Sequence, residues 1–147
     1  EILIGLVGSE MCIRDRESKH PYAKETLASL YIFGVEGLIE KDYKKAMRIV
    51  QDKYQVREGV ICTAGNEGAV CYDGNEYSAP AYSIEPVDTT GAGDCFLGGL
   101  LYAYFQEEMN KTEALKFANA SAAVKCLQAG PRSRADVKKI FEFKESR

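Results

Sequence analysis

The sequence predicts an α/β protein, in which helices pack on a sheet, and three observations support this class. Short apolar segments of strand length alternate along the chain with longer segments of helical periodicity. Two of the short segments are joined by a turn signal that is typical of a β-hairpin, which adds a short antiparallel element. A glycine-rich loop follows an extended segment and leads directly into a long apolar helix.

Composition excludes several classes of function. The 147 residues, 46% hydrophobic and 28% charged, suit one globular domain. A net charge of -3 disfavours a nucleic-acid partner, and no apolar run approaches the length that a membrane span requires. The five cysteines lack C-x-x-C spacing and only one histidine is present, which disfavours a zinc site and a disulfide framework. With no targeting signal recognised, we expect a cytoplasmic protein.

The N-terminal segment has the character of an artefact. Residues 6–16 read LVGSEMCIRDR, with neither helical nor strand periodicity. Translated back into codons, this string resembles a transposase-based sequencing adapter read in frame. We therefore assign residues 1–16 as an artefactual segment, with the adapter itself at about 5–16, and residues 17–147 as one partial domain. A natural N-terminal segment is the alternative.

The first predicted elements alternate in type. A helix is expected at Tyr22–Leu30 and a short strand at Leu30–Phe33. A second, amphipathic helix starts near Lys41, because apolar residues recur there at helical spacing: Tyr43, Ala46, Met47, Val50 and Tyr54. Val60–Thr63 then has the pattern of a buried strand.

A hairpin and the long helix come next. Strands are expected at Ala69–Tyr72 and Glu76–Ala79, because the Asp-Gly-Asn turn at 73–75 lies between them. Residues 83–87 are weakly extended, and the apolar helix is expected from about Asp94 to Gln106.

Two capping patterns predict the last helices. Asn110 with Glu113 predicts an N-cap and its reciprocal acid, for a helix that runs to about Gln128 before Gly-Pro at 130–131. Ser133 with Asp136 repeats the pattern for a final helix at about 134–141.

The chemistry lies in the loop D-T-T-G-A-G-D, residues 88–94. Gly91 and Gly93 let a ligand approach the backbone, and the N–H groups of residues 91–94 would be unpaired donors at a helix N-terminus. Such a place binds phosphate or stabilises developing negative charge. Asp94 would then be a general base for an attacking hydroxyl. The alternative is that Asp94 serves only as the N-cap of the helix.

The seven-residue loop, followed by Cys95-Phe96, resembles the second signature of the ribokinase-like (PfkB) carbohydrate kinases. Residues 61–69 resemble the strand and T-x-G-x-x-G turn of that family, and residues 117–123 resemble its A-N-A-x-A-A helix. The resemblance covers about residues 17–145. It implies the C-terminal half of a ribokinase-like three-layer α/β/α fold, with a mostly parallel sheet and a short antiparallel hairpin.

The resemblance implies ATP-dependent phosphoryl transfer to a hydroxyl of a sugar or sugar derivative. Asp94 would be the general base, and the anion hole would comprise Gly91, Ala92 and Gly93. The implied nucleotide-binding residues are Thr63, Gly65 and Gly68 beside the nucleotide, with Asn119 and Ala123 on the adenine side.

Metal sites are also implied. Asp88 and Thr90 would help to hold a monovalent cation such as K+ beside the loop, and Glu36 would join a Mg2+ water network. Phe33 stands where the family motif that ends at Glu36 has Asn, which weakens that assignment.

The resemblance also bears on partners and on the activity of this chain. It implies a small-molecule sugar substrate and a homodimer formed through an N-terminal half that is not present here, so we expect the fragment alone to be inactive. A non-catalytic nucleotide-binding or regulatory relative is the alternative. A structural α/β domain with a fortuitous loop is a third reading.

Overall fold

The computed structural model describes residues 42–54, 56 and 59–147. Four predictions lie outside these residues: the artefactual segment, the helix Tyr22–Leu30, the strand Leu30–Phe33 and the role of Glu36. The chain divides into two compact units, residues 1–62 with 72–75 and residues 63–71 with 76–147. The glycine-rich loop belongs to the second unit.

The first unit contains the predicted amphipathic helix, α1, at Tyr43–Tyr54. Asp42 caps it, because a side-chain oxygen of Asp42 accepts a hydrogen bond of 2.9 Å from the N–H of Lys45. Ala46 and Met47 are buried, whereas Tyr54 is exposed. The apolar stripe therefore buries its centre and leaves its C-terminal end open.

Three short strands form a sheet in the order β1-β2-β3: β1 at Val60–Thr63, β2 at Ala69–Tyr72 and β3 at Glu76–Ala79. The predicted hairpin between β2 and β3 is confirmed. Its turn is closed by the carboxylate of Asp73, which accepts a 2.9 Å hydrogen bond from the N–H of Asn75.

Three helices complete the second unit: α2 at Ala92–Phe105, α3 at Lys111–Cys126 and α4 at Val137–Glu145. The first two pack closely because Gly99 of α2 faces Ser121 of α3. A Cβ atom at Gly99 would lie only 2.8 Å from the Cβ of Ser121. Within the described ranges, no helix has the length and apolar character that spanning a membrane requires.

The core of the second unit consists of two clusters of buried side chains. One contains Ala69, Cys71, Ala79, Phe96, Leu115 and Ala118. The other contains Ala103, Ala114, Phe117, Ala120 and Ile140. Helix α3 contributes to both clusters, and burial of Phe117 alone is worth roughly 2 to 3 kcal/mol. The fold of this unit is therefore organised around α3.

The start of α3 follows the capping pattern only in part. The side chain of Asn110 accepts a 3.0 Å hydrogen bond from the N–H of Glu113, as predicted. The reciprocal bond from Glu113 is replaced by ion pairs with Lys116 at 2.8 Å and Lys144 at 2.6 Å. These two ammonium groups, Lys116 first, lower the pKa of Glu113 to about 2. A contact between α3 and α4 therefore takes the carboxylate that a capping box would use.

Several further bounds differ from the prediction. Helix α4 begins at Val137 because its N-cap is Asp136, which accepts a 2.9 Å hydrogen bond from the N–H of Lys139. Ser133 instead closes a local turn by accepting from the N–H of Ala135 at 3.2 Å. Helix α2 begins two residues before the predicted start, α3 ends two residues before the predicted end, and residues 83–87 form no strand.

Candidate active site

A cavity of about 640 Å³ lies within the second unit. It is lined by the turn that follows β1, by residues 81–86 after β3, by the first residues of α2 and by one face of α3. All five residues predicted to contact the nucleotide line it: Thr63, Gly65, Gly68, Asn119 and Ala123. Three motifs that are distant in sequence therefore meet at one cavity.

The predicted anion-hole and cation residues divide between the cavity wall and its surroundings. Ala92 and Gly93 line the cavity, together with Thr89. The remaining predicted residues are not part of its lining: Gly91, Asp94, Asp88 and Thr90. The cavity therefore reaches the first turn of α2.

One wall of the cavity was missed by the sequence reasoning. Tyr82, Ile84 and Pro86 line it and present apolar surface. Ala81 and Ser83 line the cavity as well, so the wall does not follow strand alternation, and the only signal in the sequence was a short run with apolar residues after β3. Apolar side chains in this position suit the flat faces of a purine base.

The first glycine loop, residues 64–68, is a tight turn. The N–H of Ala64 donates to the carbonyl oxygen of Gly68 at 2.8 Å, which closes the turn. Gly68 has a φ of 103° and a ψ of -138°. A Cβ atom there would lie 2.2 Å from the carbonyl oxygen of Ala79. Only glycine fits, so this residue fixes the turn against the end of β3.

Asn119 holds the same strand end from the other side. Its side-chain amide donates two hydrogen bonds of 3.0 Å, one to the carbonyl oxygen of Ala79 and one to that of Pro80. The residue is buried. Its amide nitrogen therefore positions the cavity wall, and the side-chain oxygen is the atom left to meet a ligand. Ala122 and Ala123 continue this wall with small side chains.

The second glycine loop, residues 88–94, is shaped by Asp88. One carboxylate oxygen accepts from the N–H of Thr90 at 2.9 Å, and the other accepts from the N–H of Gly130 at 2.9 Å. These bonds, led by that from the Thr90 backbone, lower the pKa of Asp88 to about 2. Lys125 adds a smaller electrostatic effect in the same direction. The carboxylate therefore ties the start of the loop to the segment after α3.

Gly91 makes the turn from this loop into α2. It is the N-cap, in the left-handed conformation with a φ of 81°. A Cβ atom there would lie 2.1 Å from the carbonyl oxygen of Pro131. The N–H of Ala92 donates to the carbonyl of Thr89 at 3.1 Å, so the prediction that all four N–H groups of residues 91–94 are unpaired was wrong at Ala92.

Three donors remain at the start of α2. Among the residues that the structure describes, none accepts a hydrogen bond from the backbone N–H of Gly91, Gly93 or Asp94. Unpaired N–H groups and the helix dipole together make a site that favours negative charge. This geometry can bind a phosphate or stabilise charge on a transferring phosphoryl group.

Asp94 lies in the first turn of α2 and is exposed. The N-cap is Gly91, so the alternative that Asp94 caps the helix is wrong. The Asp94 carboxylate makes no hydrogen bond or ion pair to any described residue. A carboxylate without a structural partner beside an anion-binding helix end is free to act on a ligand.

Lys125 is a further residue that sequence reasoning missed. It is completely buried, with 0% of its surface exposed. Its ammonium donates to the carbonyl oxygens of Asp88 at 2.7 Å and Gln128 at 3.3 Å. The available signal was a lysine within the otherwise apolar A-A-V-K-C segment of α3. Such a lysine, close to a helix C-terminus, faces the unpaired carbonyl groups there.

The two implied metals fit the described residues differently. Mg2+ binds one or two carboxylates together with phosphate oxygens and water, and Glu36, the residue implied for it, lies outside the described residues. Within residues 42–54, 56 and 59–147 no group of three or more His, Cys, Asp or Glu side chains could hold a metal by itself. A monovalent cation at Asp88 does not fit, because the ammonium of Lys125 already lies 2.7 Å from the Asp88 carbonyl oxygen and would repel it.

Comparison with known proteins gives consistent matches. A model of the pfkB family carbohydrate kinases matches residues 28–138. Fructokinase-1 from Zea mays is 36% identical over 78 residues, which cover 48% of this chain and 24% of that protein. Ribokinase from Haemophilus influenzae is 33% identical over 123 residues, which cover 82% of this chain and 39% of that protein.

Solved structures match as well. An Escherichia coli protein assigned as ribokinase II, crystallised in complex with ATP and Mg2+, superposes with a TM-score of 0.66 at 25% identity, over 86% of this chain and 44% of that one. The predicted α/β, ribokinase-like fold is thereby confirmed. The chain spans only 24% and 39% of the length of the two curated relatives. Since the family model covers well over half of its residues, the chain belongs to the pfkB family of carbohydrate kinases.

Proposed function

We propose that this chain is the nucleotide-binding half of an ATP-dependent sugar kinase, which transfers a phosphoryl group to a hydroxyl of a sugar or sugar derivative. One observation carries the proposal. A single cavity joins the first glycine loop, the small-residue face of α3 and the N-terminus of α2. The adenine base of ATP would lie beside the apolar residues of this cavity, and its phosphates would lie at the N-terminus of α2.

Each end of the cavity has a distinct task in this proposal. Tyr82, Ile84 and the alanines of α3 contact the base, and Asn119 offers its side-chain oxygen. The N–H groups of Gly91 and Gly93 bind the transferred phosphoryl group, where phosphoryl transfer needs charge stabilisation most. Asp94 accepts the proton of the attacking hydroxyl. Mg2+, when bound with the nucleotide, neutralises phosphate charge.

Nucleotide binding is the first test. The midpoint of thermal unfolding of the purified 147-residue chain is expected to rise when ATP and Mg2+ are added, because a ligand that binds only the folded state stabilises it by mass action. At a ligand concentration about a hundred times Kd the gain is about 2.7 kcal/mol. A midpoint that stays constant as ATP is raised to millimolar levels contradicts the proposal.

Turnover is the second test. The relatives are far longer than this chain, so we expect the chain alone to bind ATP and phosphorylate no sugar. In the product of the complete gene, Asp94→Asn is expected to lower kcat by about 10²- to 10⁴-fold while ATP affinity is retained. Asp136→Asn is the control, since Asp136 caps α4 away from the cavity. An Asp94→Asn enzyme with full activity contradicts the general base and favours a non-catalytic relative.

A further inference from the structure

Lys125 is a buried charge that the proposed chemistry does not use. Transfer of an ammonium group from water into a protein interior is costly unless the group is paired and hydrogen-bonded. Lys125 lies in the last turn of α3, and its exposure is 0%. Burial of the positive charge of Lys125 therefore costs a substantial desolvation free energy.

The charge of Lys125 contacts two backbone carbonyl oxygens. Its ammonium donates to the backbone carbonyl of Asp88 at 2.7 Å and to that of Gln128 at 3.3 Å. The carboxylate of Asp88 is close enough for Lys125 to contribute to its lowered pKa. Carbonyl and carboxylate oxygens are the ligands that hard cations prefer, so the ammonium occupies a place that suits a cation.

The position of the charge links two helix ends. Asp88 opens the second glycine loop, which leads into the N-terminus of α2, and Gln128 follows the C-terminus of α3. Carbonyl groups at a helix C-terminus carry partial negative charge, which a cation offsets. The ammonium therefore fastens the loop that carries the anion-binding N–H groups to the end of the neighbouring helix.

We propose that the ammonium of Lys125 is a built-in cation that holds the second glycine loop in place of a dissociable monovalent cation. The loop of this chain then keeps its conformation, and its affinity for ATP, in the absence of K+. The expected ATP affinity rests on the proposed function. The expected loop conformation does not, because it is measured as the stability of the chain without nucleotide.

The test compares KCl with tetramethylammonium chloride at equal ionic strength, since the organic cation is too large to take the place of the ammonium between the carbonyls of Asp88 and Gln128. Thermal midpoints without nucleotide, and ATP affinities by calorimetry, are measured in both salts. The wild-type chain is expected to give the same midpoint and the same ATP affinity in both. A wild-type midpoint or affinity that rises in KCl overturns the proposal, because a dissociable cation then binds.

Lys125→Ala sharpens the result, because it removes the ammonium and leaves space among the carbonyls. This variant is expected to unfold at a lower temperature and to recover in KCl, with ATP affinity at least about fivefold higher in KCl than in tetramethylammonium. Lys138→Ala is the matched control, since the Lys138 side chain is 85% exposed. A Lys125→Ala chain that is weakened equally in both salts, or not weakened, overturns the cation role.

Failure of the variant to fold and failure of the chain to bind ATP can each be told apart from failure of the proposal on Lys125. If Lys125→Ala does not fold, the wild-type comparison of the two salts decides the proposal alone. If the wild-type chain shows no ATP binding in either salt, the proposed function fails, and the nucleotide-free midpoints still report on Lys125.

Discussion

Two glycine loops meet at the cavity, and in each loop one glycine has no room for a Cβ atom whereas the other does. In the first loop Gly68 is locked against the end of β3, whereas a Cβ at Gly65 would meet nothing within 4 Å. In the second loop Gly91 is locked against Pro131, whereas a Cβ at Gly93 would meet nothing within 4 Å. Each loop therefore has one glycine that the fold requires.

The open glycines differ from each other, and the difference concerns function. Gly65 has a φ of +58°, so its backbone alone accounts for glycine. Gly93 lies inside the first turn of α2 and has no positive φ, and a Cβ atom added to it would meet nothing within 4 Å. Nothing in the described fold requires glycine there. Gly93 lines the cavity, whereas Gly98, which is equally open, does not, so the two glycines can be compared for a role in ligand binding.

Gly68→Ala is expected to cause the largest loss. Its φ and ψ are almost exclusive to glycine, and the new methyl group would meet three backbone atoms of residues 79–81 at 2.2 to 2.7 Å. The free energy of unfolding is expected to fall by about 4 kcal/mol, measured by urea denaturation. Gly65→Asn is the control, because asparagine tolerates a left-handed conformation; it should cost less than about 1 kcal/mol. Equal losses for the two variants would show that Gly68 is not locked.

Gly91→Ala is expected to have the second largest effect. The left-handed backbone costs an alanine about 1 to 2 kcal/mol, and the contact of 2.1 Å with the Pro131 carbonyl forces a shift of the loop. A loss of about 3 kcal/mol in the free energy of unfolding is expected in the same assay. Gly93→Ala serves as the control, with a change below about 1 kcal/mol in either direction. If Gly91→Ala is as stable as Gly93→Ala, the comparison between locked and open glycines fails.

Gly93→Ala should separate stability from binding. The folded state accepts the methyl group, but the group projects where a phosphate would approach the N–H donors at the start of α2. We expect ATP affinity to fall about tenfold, or 1.4 kcal/mol, by calorimetry. Gly98→Ala is a matched control, since it lies in the same helix, meets nothing within 4 Å and is not part of the cavity lining. Similar ATP affinities for both variants would remove Gly93 from the proposed phosphate site.

Elements fixed by local rules could be predicted from the sequence. The hairpin at 73–75, the helix at Tyr43–Tyr54 and the cap at Asn110 depend on residues within a few positions of one another. Turn chemistry, helical periodicity and side-chain capping act over this range. The family motifs likewise identified the five cavity residues that a nucleotide was predicted to contact, because they are short and local.

Features that depend on distant residues could not be predicted. The sequence does not show that Gly91 would meet Pro131, nor that Glu113 would pair with Lys144 of α4 instead of completing a capping box. Lys125 contacts a residue 37 positions away, so its burial has no local signature beyond its apolar neighbours. Tertiary contacts decide these cases, and they also set the exact start of α2 through the left-handed Gly91.

Acid should loosen the second glycine loop before the first. The pKa of Asp88 is about 2 in the folded chain against an ordinary value of 3.8. Its carboxylate therefore stabilises the fold above pH 3.8, and this contribution is lost as the pH falls from 3.8 through about 2. Glu113, lowered to about 2 from 4.5, loses its contribution over an overlapping range, so a variant is needed to separate the two.

Asp88→Asn provides that separation, because asparagine does not titrate. The free energy of unfolding is measured from about pH 5 to about pH 2.5, a range in which the Asp88 carboxylate begins to be protonated. Over this range the wild-type chain should lose more of it than Asp88→Asn does. Glu113→Gln is the parallel control for α3 and α4, whose partly buried ion pairs with Lys116 and Lys144 it removes. The turn of the first loop is closed by backbone hydrogen bonds, such as that from the N–H of Ala64 to the carbonyl of Gly68, and the Glu67 carboxylate makes none of these bonds. If wild type and Asp88→Asn respond equally to acid, the Asp88 carboxylate does not hold the second loop, and the two loops depend on backbone packing alike.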